Sequence, residues 1–148
     1  MAFHVRRQIR DKVVSVLTGL TTTGSNVFAS RVYPLSDSNL PALLIYTNTE
    51  ESEPQVIGTN RLISRTLSVS IECYVKQSTN FENVTDEISK EVEIAIAADT
   101  TLNGLVKDCY IESTSTELNS EGETPLAVAT LIFLTNYYVK EQAPDVAV

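Results

Sequence analysis

Apolar residues recur at Val5, Ile9, Val13 and Leu17, with Val16 beside them. The i, i+4, i+8 spacing predicts an amphipathic helix over residues 4–18. Gly19 stands where a C-terminal cap belongs, and Leu20 can fold back onto the last turn. The period then changes. Residues 27–33 predict a short strand ended by Pro34. Pro41 opens a second strand over 42–47, whose unbroken apolar run implies burial on both faces. Residues 48–60 carry Glu50, Glu51, Glu53, Pro54 and Gly58, and are expected to form a long, mobile connection.

The clearest strand is 61–76. Leu67, Val69, Ile71, Cys73 and Val75 alternate with Ser68, Ser70, Glu72 and Tyr74, which predicts one core face and one wet face. Sixteen extended residues span roughly 50 Å, so this strand should overrun its own domain. A second helix is expected over 81–98, with Asn80 at its N-cap and Val84, Ile88, Val92 and Ala95 on one side, followed by Leu102. After an Asn103-Gly104 turn, strands are expected over 105–116 and 126–139. The last is apolar on both faces at its centre and belongs inside the sheet.

The element order is therefore α-β-β-β-α-β-β. It predicts a single α+β domain over 1–148: a mainly antiparallel sheet of four to five strands with two helices on one face. Leu67, Val69, Ile71, Ile88, Val92, Leu131 and Phe133 are the expected core. Residues 140–148 are expected to be a loose tail or to dock on a neighbour.

Composition adds two points. The chain has 148 residues, 43% of them hydrophobic, enough for one core without disulfide or metal staples. Its net charge is −8, unevenly spread. Arg6, Arg7, Arg10 and Lys12 stand against Asp11 alone, which leaves 7 bases against 18 acids from residue 13 onward. An acidic body is a poor nonspecific ligand for nucleic acid. A basic helix on an acidic body suits a subunit whose basic edge meets an acidic neighbour. The same arginines could equally form a solvated helix face. No apolar run approaches the length of a membrane span, so no membrane partner is expected.

No catalytic constellation can be written. His4 is the only imidazole, the five glycines fit no phosphate-binding loop, and Cys73 and Cys109 form no CxxC. The expectation is no enzyme activity, no cofactor and no metal. Assembly remains, because overlong strands expose backbone groups that can pair with a second chain.

The segments 3–20 (FHVRRQIRDKVVSVLTGL) and 27–47 (VFASRVYPLSDSNLPALLIYT) resemble the tail terminator proteins of long-tailed bacteriophages, within the tail completion or minor tail protein group. Residues 31–35 (RVYPL) and 40–46 (LPALLIY) carry the likeness most distinctly. The resemblance implies a homohexameric ring that caps the tail tube and stops its growth. It implies as partners the tail-tube protein, a head–neck connector or stopper protein, and genomic DNA passing through the lumen without specific binding. It places the protein in the neck region of the virion tail, assembled in the host cytoplasm. Contact candidates are Arg6, Arg7, Arg10, Lys12, Glu50, Glu51 and Glu53; lumen candidates are Ser68, Ser70 and Glu72. A connector or stopper, or a tail-tube subunit, stays open as an alternative.

Overall fold

The computed structural model describes residues 2–29, 40–76, 79–119 and 126–148. In chain order the elements are α1 (Val5–Leu17), β1 (Val27–Phe28), β2 (Ala42–Pro54), β3 (Leu62–Lys76), α2 (Phe81–Ala97), β4 (Asp108–Asn119) and β5 (Leu126–Lys140). The expected order is present, and both helices cover one face of a single sheet.

The five strands run β1-β2-β3-β5-β4. The β2–β3, β3–β5 and β4–β5 pairs are antiparallel, as expected, while β1 runs parallel to β2. A parallel pair needs a crossover rather than a tight turn. The intervening residues 30–39, which include the RVYPL segment and the end of the expected 27–33 strand, lie outside the described residues. β5 is internal, between β3 and β4, in agreement with its apolar centre.

Alternation sets the core face. Leu67, Val69, Ile71, Cys73 and Val75 of β3 are all buried and meet alternate residues of β5, Val69 opposite Phe133 and Ile71 opposite Leu131. The α1 stripe of Val5, Ile9, Val13 and Leu17 joins the same core, as do Ile88, Val92 and Ile96 of α2. All seven residues expected in the core are there.

Several local expectations are corrected. β2 does not end at residue 47; it continues to Pro54, and only 55–61 remain as a connection. Pairing with β3 supplies the ladder that six polar residues and Pro54 would not select alone. β4 begins at Asp108 rather than 105, because residues 101–105 are held in turns. Asn80 occupies the N-cap position of α2 but has φ +59° and makes no side-chain cap bond. An N-cap needs extended backbone to aim its side chain at the first turn. The C-terminal tail lies on its own chain: Val5 N–H donates to the Pro144 carbonyl at 2.9 Å, and Val148 N–H to the Tyr138 carbonyl at 2.9 Å. No helix among the described residues is long and apolar enough to cross a membrane.

Candidate assembly interface

β3 does not overrun its domain, because β5 pairs with it from Leu62 to Lys76. Only the tip of the β2–β3 hairpin, the arm, passes the end of the sheet, and one extra residue decides what the outer half of β2 displays. Thr47 lies opposite Val69, but Glu50 lies opposite Leu67, so β2 advances three residues while β3 advances two. This bulge reverses the alternation. Without it Glu50 would share the open face with Leu44 and Tyr46. With it Glu50 turns to the helix face, while Glu51 and Glu53, opposite Thr66 and Ser64, turn outward.

Glu50 enters a polar cluster at the start of α1. Its Oε2 accepts the Tyr137 hydroxyl. Its Oε1 lies 3.7 Å from Arg65 Nη1 and 3.9 Å from Arg6 Nη2. His4 completes the group. It caps α1 by accepting the Arg6 backbone N–H on Nδ1 at 3.0 Å. Its Nε2 lies 3.0 Å from both Arg6 Nη2 and Arg65 Nη1.

The ring therefore faces three donors with one proton of its own to place. Either neutral tautomer turns one N–H toward another donor, and a charged ring would add a third cation. Burial lowers the His4 pKa from its ordinary value, the Arg6 and Arg65 charges lower it further, and Glu50 and Asp145 act in the opposite sense. Burial also raises the Tyr137 hydroxyl, and its bond to Glu50 adds to the rise. Arg65 Nε is buried without a hydrogen-bond partner.

The basic helix residues divide. Arg6 is turned into this cluster. Arg7 lies 3.6 Å over the Phe3 ring and 3.6 Å from Asp11. Arg10 and Lys12 are half-exposed and make no ion pair among the described residues. The three arginines do not form one free face, because the arm's Glu50 draws Arg6 inward.

On the open sheet face, Ser68 and Glu72 are half-exposed, but Ser70 is 1% exposed. Its ladder neighbours Tyr46 and Ile132 flank it. The expectation of a uniformly wet face fails at that residue. Tyr74 hydroxyl donates to Glu72 Oε2 at 3.4 Å, and burial with the Glu72 charge pushes its pKa up to about 12.

Between α2 and β4 runs a groove of about 370 Å³, floored by Ile96, Cys109, Ile111 and Phe133 and rimmed by Glu93 and Asp108. Burial pushes the Cys109 thiol up to about 12, and burial does the same to Cys73. Neither is a ready thiolate at neutral pH. Among the described residues no group of three His, Cys, Asp or Glu side chains could hold a metal.

Sequence reading missed His4, Arg65 and Tyr137. A signal for Arg65 was available. It lies midway between Ile63 and Leu67, in phase with the core side of β3. A charge in that phase requires a carboxylate partner.

A family model described as phage minor tail protein U matches residues 4–137. No curated protein matches the chain.

Proposed function

This chain belongs to the phage minor tail protein U family, and from that premise we propose that it closes the tail tube as a homohexameric ring, stops tube growth and offers its other face to the head–neck connector. As a member of that family it is a structural protein of the virion tail. The observation that carries the finer reading is an exposed edge on a sheet whose two helices, among the described residues, both lie on one face. Both helices cover one face, and the edge strand β4 leaves residues 112–118 exposed along its length. An edge of that length suits pairing with a second chain, and a closed ring leaves no such edge free. The ring then caps the tube by being template-like on one face only.

The opposite sheet face suits the lumen. From Ser64 to Tyr74, β3 presents Ser64, Thr66, Ser68, Ser70, Glu72 and Tyr74 on it, with no base. Ser68 and Glu72 remain the lumen candidates there; the buried Ser70 supports the surface without lining it. Six copies at −8 each carry −48, which repels phosphate and lets DNA pass with few fixed contacts.

The test is negative-stain imaging of the purified protein together with its mass in solution. Discrete six-fold rings are expected. Long tubes would instead assign a tail-tube subunit, and a monomer at all concentrations would reject the ring.

A further inference from the structure

The arm ends in an exposed apolar tip. Ile57 is 99% exposed and Val56 is 49% exposed. This tip is not a loose loop. Gln55 N–H donates to the Leu62 carbonyl at 2.8 Å, closing the hairpin. Gln142 N–H donates to Asn60 Oδ1 at 2.9 Å, and Glu141 N–H to the Arg61 carbonyl at 2.9 Å. The Arg61–Glu141 ion pair at 3.4 Å adds a fourth tie. The chain thus holds two aliphatic side chains in water at the end of a braced arm, where an isolated fold gains nothing from them.

The α2–β4 groove has the opposite character. Its floor is apolar, and Tyr110, 52% exposed, stands at its side. The arm cannot fill the groove of its own chain. The arm leaves the ladder where Leu62 meets Lys140, whereas the groove lies beside β4 residues 108–111, which pair with 136–133 of β5. That separation is about five residues along the strands and two strands across, roughly 15–20 Å by about 10 Å. Charge points the same way. Arg61, which keeps an exposed face outside its pair with Glu141, stands at the base of the tip, while Glu93 and Asp108 on the groove rim make no ion pair among the described residues.

We propose that the arm tip, Val56 and Ile57, seats in the α2–β4 groove of a second copy of this chain. Tip and groove are different surfaces, so the contact is head-to-tail and propagates from copy to copy until the rotation closes. The inference rests on the ring reading for that closure and adds the specific contact that joins neighbours. Ile57 is the apolar anchor, the groove floor excludes water from it, and Arg61, 42% exposed within its pair with Glu141, is shared between that carboxylate and the acidic rim.

The test uses the full chain. Ile57→Asp should leave the melting of the monomer unchanged, because the residue makes no contact within its own fold. It should raise the concentration at which monomer dominates by roughly tenfold or more, read by analytical ultracentrifugation. In a second measurement, chains carrying Ile57→Cys are co-expressed with chains carrying Ala97→Cys, a groove residue, and oxidised mildly. Both chains also carry Cys109→Ala, since the native Cys109 on the groove floor could otherwise take the cross-link. A disulfide between unlike chains is then expected, and neither variant alone should give it. Discrete rings in the wild type without the unlike-chain disulfide, or rings of undiminished stability with Ile57→Asp, would overturn this contact and leave the ring standing. A wild type that stays monomeric would overturn the ring itself and the contact with it.

Discussion

Tyr137 and Glu50 are joined by a hydrogen bond that reaches from β5 across β3 to the arm strand β2. The tyrosine is fully buried, and the carboxylate is 10% exposed. Glu50 thus ties the base of the arm to the body of the sheet and neutralises Arg65, whose own side chain is 19% exposed. Tyr137→Phe should destabilise the fold by about 1.5–3 kcal/mol, the range for a hydrogen bond to a charged group. Glu50→Ala leaves a half-buried arginine pair without a carboxylate and should cost about 3 kcal/mol or more. Glu51→Ala and Glu53→Ala face outward and should stay within about 0.5 kcal/mol of wild type. Urea unfolding of the four variants separates the inward glutamate from the outward two.

His4 makes the start of α1 sensitive to pH. Its folded pKa is lowered by burial and by Arg6 and Arg65, so the unfolded chain takes up the proton first. The stability this confers is fully present above the ordinary histidine value of 6.5 and is lost as pH falls through the lower folded value. Protonation also ends acceptance of the Arg6 N–H. His4→Asn retains a capping side chain without a titrating group. Urea midpoints measured from pH 8 down to pH 5 should fall more steeply in wild type than in His4→Asn. Parallel curves would show that the imidazole is not the group responsible.

The arginines of α1 are expected to act differently. Arg6→Glu places a second carboxylate against Glu50 and should lower the stability of the monomer. Arg7→Glu and Arg10→Glu, together, should leave monomer melting nearly unchanged and weaken assembly, more at low salt than at moderate salt. Sedimentation at two ionic strengths checks this. Assembly unaffected by the double reversal would remove Arg7 and Arg10 from the interface.

Glu72 tests the lumen. The assembled protein should show no tight DNA binding at physiological salt, by gel shift. Glu72→Lys would bring six new cations to the channel wall of a hexamer and should produce salt-sensitive retention of DNA. Equal behaviour of the two proteins would place Glu72 away from the DNA path.

Ile71 is fully buried at the centre of β3, opposite Ile45 and Leu131. Ile71→Ala should cost about 2–5 kcal/mol in chemical denaturation.

Legibility in the sequence followed how local each cause was. Both helices were readable because Val5, Ile9, Val13 and Leu17, and Val84, Ile88, Val92 and Ala95, repeat within a few residues of one another. β3 was readable in register, since an alternation from Leu67 to Val75 admits one core phase. The outer half of β2 was not readable. Residues 48–54 show no apolar period, and they are strand because β3 lies alongside to receive their hydrogen bonds.

The sequence by itself determined the element types, the order α-β-β-β-α-β-β and the residues that fill the core, because these depend on short-range periodicity and on apolar side chains leaving water. Tertiary structure alone decided the facing of Glu50, Glu51 and Glu53 and which charges meet. A bulge between Thr47 and Glu50 turns Glu50 inward and leaves Glu51 and Glu53 outside, and long-range pairing brings His4, Arg6, Glu50, Arg65 and Tyr137 together from four elements and a helix cap. A charged side chain carries no period of its own. Its direction is set by the strand register beneath it, and that register is a property of the partner strand.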